Sequence, residues 1–455
     1  MANLASTTIS GTITEKKGTA SISGTTLTVD MSTGNYFEVS LATASDNIAT
    51  FTITNPPASG SVGSFVIKIT QGSTARSFNW ATMSGARPVW ESIPVIPTEV
   101  NAQDIYTFTT YDGGTIWYGS TIGTEFSSVS IYGNRGVFCG GDYEASGNYQ
   151  NNPAAPMDSD KMDYIAIDTN GNATTFGNLG IARGKVAACS DGQRGVIGGG
   201  RRYNFPSAPT HTETNLMEYI TIGTPGGSTG FGNLTVTRQG AASTSSPTRG
   251  IFAGGYINAP SPTYYNTIDY ITIITPDNAV DFGDMHPGTT SQRTACSSGT
   301  RGVLLGGKVS GNKENVIDYY SFDYPNNGAD FGNLTATNRA AASCSDGTRG
   351  ICAGGDRGDT NKEKIDYITI AVPAATATNF GDLTREHWYL AGTSNGSRGV
   401  FGGGWKDMVS YPPPPNQVQW ATETIDYITI ATTGNATDFG DLTSTRDTLA
   451  ACSGN

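Results

Sequence analysis

Three histidines, His211, His286 and His387, are the whole imidazole supply of a 455-residue chain. No two stand at a spacing that would put both on one metal ion, and none lies beside a cysteine in a ligand motif. Glycoside hydrolysis needs two unlike carboxylates facing one cleft, and they would have to be drawn from Asp142, Glu144, Asp158, Asp160, Asp407 and Glu423. The acids Asp163, Asp269, Asp318, Asp366 and Asp426 recur at a single position of a repeat, so their spacing points to architecture. The sequence is therefore read as a non-enzyme, with no catalytic residue, no metal ligand set and no cofactor.

The residues better suited to a task are aromatic. Tyr143, Tyr149, Tyr203, Phe205, Tyr256, Tyr264, Tyr265, Trp405, Tyr411 and Trp420 fall in a few long connections, together with Pro206 and the run Pro412 to Pro415. Flat apolar rings held on stiffened backbone stack on sugar rings or anchor a protein partner at low entropic cost. These ten are the candidate ligand-binding residues.

Such connections need a regular frame, and the chain repeats. Arg-Gly recurs at Arg135, Arg194, Arg249, Arg301, Arg349 and Arg398, each time leading to an apolar pair and then Gly-Gly. The intervals are about 50 residues, the length of a propeller blade. An acidic residue and a tyrosine follow, from Asp163-Tyr164 through Glu218-Tyr219 to Asp426-Tyr427, and Phe-Gly closes each unit, from Phe176 to Phe439. A run of small residues such as Ala340 to Ser345 opens each unit, approached through Arg183, Arg238, Arg339 or Arg446. That makes four strands per unit and six units. The last segment, Arg446 to Asn455, repeats the opening run where its partner Arg135 is missing one, so it is expected to be the innermost strand of the first blade and to close the ring. Cys189, Cys296, Cys344 and Cys452 share one repeat position, and Cys139 and Cys352 both precede Gly-Gly. All six are read as free, buried thiols. The Asn-X-Thr matches at Asn172, Asn233, Asn333 and Asn435 are repeat punctuation rather than glycosylation sites.

The order of small-residue strand, Gly-Gly strand, acidic-Tyr strand and aromatic strand resembles the kelch repeat, over residues 126 to 455, with Phe where kelch repeats usually place Trp. The resemblance implies an all-β fold, a six-bladed kelch-like β-propeller at 123–455, of a divergent bacteriophage type. It also raises copper-oxidase chemistry, whose clustered His and Tyr ligands cannot be assembled from this sequence. The connection after Gly-Gly is long at 142–161, 201–216 and 405–424, intermediate at 256–267, and short at 308–316 and 356–364. In a closed ring the longer ones form one contiguous arc. The chain enters the first blade on the face opposite that arc.

Residues 1–122 carry no repeat. They alternate as strands at Leu27 to Val29, Ala49 to Ile53, Phe65 to Ile69 and Ile105 to Thr109, with turns at Asn55-Pro56-Pro57 and Asp112-Gly113-Gly114. This reads as a small β-sandwich-like domain preceding the propeller. The stretch from Phe51 to Pro57 through Trp80, Trp90 and Asp112 to Gly119 is similar to a domain of bacteriophage fibres and other virion appendages. That resemblance implies attachment to other virion proteins and a homotrimer. The expected protein is a virion component made in the host cytoplasm, a tail fibre or capsid appendage. Its partner would be a host cell-surface glycan or protein, with a purely structural decoration protein or a cellular kelch scaffold as alternatives.

Composition agrees. Charged residues make up 15% of the chain, against roughly 25% in ordinary domains, and 59 glycines supply many tight turns. A net charge of −12 repels a phosphate backbone, so no nucleic-acid partner is expected. No run of about 18 apolar residues occurs and Met1 to Thr14 lacks the character of a secretory signal, so no membrane insertion is expected.

Overall fold

The computed structural model describes residues 16–59, 61–72, 74, 76–80, 83–90, 103–126, 132–143, 157–203, 211–258, 261–286, 288, 290–309, 311–322, 324–359, 361–373, 375–407 and 419–455. The chain forms two compact units, Met1–Val129 and Ser130–Asn455.

In the first unit the chain crosses repeatedly between two sheets, strand by strand from Thr26–Asp30 to Arg87–Trp90. One holds Thr19–Ser23, Thr26–Asp30, Thr50–Thr54 and Met83–Ser84; the other holds Tyr36–Ser40, Gly63–Thr70, Gln103–Thr110, Ile116–Phe126 and Arg87–Trp90. Because the chain returns to each sheet in the same sense, Thr26–Asp30 pairs in parallel with Thr50–Thr54, and Tyr36–Ser40 with Gly63–Thr70. The period of two turns Leu27, Val29 and Phe51 of one sheet and Phe37, Phe65, Ile67 and Phe108 of the other into one shared core. Trp80 is at its centre, edge-on to Phe51 and Trp90 and tilted against Tyr106. Of the aromatic positions that carry the appendage resemblance, Phe51, Trp80 and Trp117 are buried in this core and Trp90 packs against it, while Tyr118 is exposed. Tyr36–Ser40 is a strand that the sequence reading did not pick out.

The second unit is a six-bladed β-propeller. Each blade is a four-stranded antiparallel sheet, and the innermost strands neighbour one another around a closed ring: Ala187–Ser190, Ala242–Ser245, Thr294–Ser297, Ala342–Ser345, Ala391–Ser394 and Ala450–Gly454. The last of these pairs antiparallel with Arg135–Cys139, with Arg135 opposite Gly454 and Cys139 opposite Ala450. The end of the chain therefore completes the first blade. Apolar cores lie between blades: one gathers Cys189, Met217 and Phe231 of the second blade with Phe252, Ile271 and Ile273 of the third.

The repeated residues are the inter-blade joints. Each arginine of Arg-Gly lies over the ring of its own blade's acidic-Tyr tyrosine, from Arg135 on Tyr164 to Arg398 on Tyr427. Its guanidinium then donates to a carbonyl of the next blade: Arg135 to Ile222, Arg194 to Ile273, Arg301 to Ile370, Arg349 to Ile430, and Arg398 back to Ile167. The glycine is required because a neighbour's side chain occupies the space of a Cβ. One placed on Gly250 would lie 2.5 Å from Cys189 Sγ, and on Gly195, 2.6 Å from Cys452 Sγ. All six cysteines are free and buried, as read from the sequence. Burial pushes the Cys296 thiol up to about 12, so it is inert at neutral pH.

Two hydrogen-bonded circuits run around the axis. At one end the Ser190, Ser245, Ser297, Ser345, Ser394 and Ser453 hydroxyls each donate to the carbonyl of the serine one blade back, at 2.6–2.8 Å, until the circle closes. At the other end Lys185, Gly240, Gln292, Ala340, Tyr389 and Thr448 all have φ between 50° and 61°. Each N–H there donates to the carbonyl of the equivalent residue in the preceding blade, at 2.7–3.0 Å. This circle fixes the mouth of the central channel.

Candidate binding site at the channel mouth

The connection after Gly-Gly leaves every blade at this same mouth. Both glycines have positive φ, 65° and 98° at Gly199 and Gly200, a turn that side chains disfavour, and the next residue bonds back to the segment before the innermost strand. Five of these junctions are single bridges, Asp142 with Asp447, Gly184 with Arg201, Gln239 with Tyr256, Ser291 with Lys308 and Trp388 with Trp405; the sixth pairs Asn338–Arg339 with Asp356–Arg357. Several connections are short hairpins, such as Arg201–Tyr203 with His211–Glu213 and Trp405–Asp407 with part of Gln419–Thr429. Six residues, Asp142, Arg201, Tyr256, Lys308, Asp356 and Trp405, thus encircle the inner circle of Lys185, Gln292, Tyr389 and their equivalents.

Along the axis lie three cavities of about 90, 120 and 90 Å³: the first is at the mouth, lined by the inner circle and the residues that follow it, and the other two are deeper, lined mainly by the small residues of the innermost strands. With about 30 Å³ per water, each has room for a few waters or one small functional group, not a sugar ring. At the far end Tyr132 lies over the serine circuit, its hydroxyl 3.0 Å from Ser345 Oγ.

The aromatic candidates divide. Tyr256 and Trp405 stand at the mouth. Tyr256 is 7% exposed, stacks on Tyr264 and accepts a hydrogen bond from Lys185 Nζ at 2.8 Å. Trp405 is edge-on to Trp388 and Tyr389. Tyr143 and Tyr265 are half-buried at the bases of their hairpins. Tyr203 and Trp420 lie on strands whose side chains at these positions are outside the described residues, as are Tyr149, Phe205 and Tyr411 altogether. Of the loop carboxylates, Asp142 is held by Arg201 at 2.6 Å and faces Asp158 across its hairpin, Asp160 is near Lys161, Glu423 is exposed, and Glu144 and the side chain of Asp407 are outside the described residues. His211 is 2.8 Å from Asn258 Nδ2 and 3.3 Å from Glu213 Oε1, and burial lowers its pKa. His387, buried, is pushed down to about 3 and is neutral.

No protein-family model matches the chain, and no curated protein matches it. Its architecture and its site accordingly rest on geometry.

The acids of the acidic-Tyr pairs are structural joints. Arg183 meets Glu218 at 2.6 Å, Arg238 meets Asp269 at 2.7 Å and Arg446 meets Asp163 at 2.5 Å, all buried. Arg293 reaches Asp318 from three positions further along. Arg339, which the sequence reading grouped with Arg183, Arg238 and Arg446, belongs elsewhere. Asn338 fills the equivalent place, and Arg357 of the following hairpin supplies the guanidinium, 3.1 Å from Asp366. Arg339 instead turns to the mouth, bonding Asp356 at 2.8 Å and Gln292 Oε1 at 3.0 Å.

What sequence reasoning missed is the inner circle. Lys185, Gln292 and Tyr389 stand just before the small-residue strand, where the repeat reads Lys, Gly, Gln, Ala, Tyr and Thr. Variation at one aligned position, in a frame otherwise repetitive, was the available signal.

Proposed function

We propose that this chain is a non-enzymatic adhesion protein of a virus particle, a fibre or appendage of bacteriophage type. A kelch-like propeller binds a host-surface glycan or protein through the hairpin face, and the N-terminal unit mounts it on other virion proteins, as a trimer. The observation that carries the reading is the gathering of all six variable connections around one channel mouth. The three longest and the intermediate one belong to four consecutive blades, an asymmetry that closing a ring does not require. Kelch membership is supported by the six Arg-Gly, Gly-Gly, acidic-Tyr and Phe-Gly sets. Virion attachment is supported by the motif from Phe51 to Gly119. The described residues of the propeller begin at Tyr132, at the end of the axis opposite the hairpins.

Replacing 405–424 by the short connection 356–364 tests the site. The graft keeps the positive-φ Gly-Gly base and places an arginine over Asp426, as Arg357 lies over Asp366, so the fold is expected to survive with an unchanged melting transition. Adsorption of the full-length protein to host cells is expected to fall at least about tenfold, the equivalent of 1.4 kcal/mol. Undiminished adsorption with an intact fold would remove the hairpin face from consideration.

A further inference from the structure

The mouth concentrates positive charge in a protein of net charge −12. Lys185 Nζ gives one of its hydrogen bonds to Tyr256 and lies 5.5 and 5.8 Å from the Tyr256 and Tyr389 ring centres. Among the described residues no carboxylate lies within ion-pair distance of Lys185 or of Lys308. Burial, Arg339 and Lys185 together hold the Lys308 ammonium below its usual range. Burial and Arg201 do the same to Lys185. Like charges gathered in a half-buried place with no carboxylate in direct contact are costly unless something else neutralises them.

The cavity that Lys185 lines points the same way. Lys185, Gln292, Tyr389 and Thr448 line its rim, and its 90 Å³ suits a single oxyanion group. Thr448, 5% exposed, turns a hydroxyl there that has no hydrogen-bond partner. Gln292 is held from both sides, accepting from Arg339 and donating to Tyr389 Oη at 2.7 Å. The polar wall is therefore preorganised. Of the acids whose charge acts on the two lysines, Asp142 and Asp356 are already engaged by Arg201 and by Arg339 with Lys313, and buried Asp447 acts on Lys185 without direct contact.

We infer that the mouth receives the anionic group of an acidic saccharide, with Lys185 and Lys308 as counter-charges, Thr448 Oγ1 as a hydrogen-bonding partner, and the sugar ring itself outside against the half-buried Trp405. The inference rests on the adhesion reading and narrows its ligand to a carboxylate-bearing or sulfated glycan. A neutral glycan leaves the lysines unanswered, and a protein side chain carrying one carboxylate would not need the flanking indole of Trp405.

The test uses the full-length protein and three probes in calorimetric titration: glucuronate, inorganic sulfate and glucose. Glucuronate is expected to bind at least about tenfold more tightly than glucose, and sulfate to compete with it. Lys185→Gln with Lys308→Gln is expected to remove that preference, and Thr448→Val, nearly the same in shape, to weaken glucuronate several-fold with the melting transition unchanged. Sulfate binding without glucuronate preference would show an adventitious anion site and overturn the saccharide assignment. Equal affinity for glucuronate and glucose, absence of binding to all three, or an unaltered preference in the double variant would overturn the anion site. None of these outcomes decides the adhesion reading, which falls only if the grafted hairpin leaves cell adsorption intact.

Discussion

The sixth blade departs from the others at one buried residue. Asp426 accepts hydrogen bonds from Thr384 N and Oγ1 but has no arginine in ion-pair contact among the described residues, since neutral His387 stands where Arg183, Arg238 and Arg446 stand elsewhere. Burial raises its pKa above 3.8. A carboxyl whose folded pKa is raised favours the folded state while protonated; that advantage is present below the unfolded value and is lost as pH rises through the folded one. Asp426→Asn keeps one acceptor oxygen for Thr384, whose hydroxyl can in turn accept from the new amide, and has no charge to bury. It is expected to match or exceed native stability at pH 7 and to abolish the decline that begins near pH 4. The isosteric change Asp269→Asn should behave oppositely, because it strands Arg238, which is fully buried. Its expected loss is about 3–5 kcal/mol. Urea midpoints of the three proteins from pH 4 to 8 check both signs; equal losses in the two variants would show that His387 leaves no difference between the sites.

At the scale of the element, strands were legible and their attachments were not. Arg-Gly, acidic-Tyr and Phe-Gly are tied by geometry to fixed strand positions, so spacing alone located the propeller strands and the closing one. The hairpins have no such constraint beyond Gly-Gly, and the sequence reading treated them simply as loops. It consequently assigned the buried guanidinium of the fifth blade to Arg339, the arginine nearest in sequence, whereas Asp356–Arg357 folds back to provide it. The two arginines should be readily told apart. Arg357→Met leaves Asp366 buried with only Thr335 as partner and is expected to cost about 3–5 kcal/mol. Arg339 is a quarter exposed and paired with a half-buried carboxylate, so Arg339→Met is expected to cost no more than about 1 kcal/mol, while altering the mouth. Denaturation of each variant reads the difference, and comparable losses would return Arg339 to the core joint. The candidate site was legible only in outline for the same reason. Aromatic loops announce themselves by composition, but Lys185 and Gln292 matter through a circle that brings together residues about a hundred positions apart.

At the scale of the whole molecule, everything depends on closure. Each of the two axial circuits has six links only because the last strand takes its place in the first blade; without it, each is an open chain. Removing Thr445 to Asn455 deletes Arg446 and strands Asp163, takes Thr448 from the backbone circuit and Ser453 from the serine circuit, and empties the space that Cys452 fills against Gly195. It also bares the inner edge of Arg135–Cys139, an open strand edge that other chains could pair with. The stranded acid alone costs about 3–5 kcal/mol, and the lost core contacts of Leu449 add about 2–5 kcal/mol. Together these approach the total stability of an ordinary domain, about 5–15 kcal/mol. The truncated protein is therefore expected to lose the cooperative thermal transition of the propeller and to become sensitive to protease throughout residues 135–444, while the core of Phe51, Trp80 and Phe108 keeps its own transition. A truncated chain that melts as the native one does would mean that five complete blades and one partial blade suffice, and that the circuits around the axis contribute little to holding the ring.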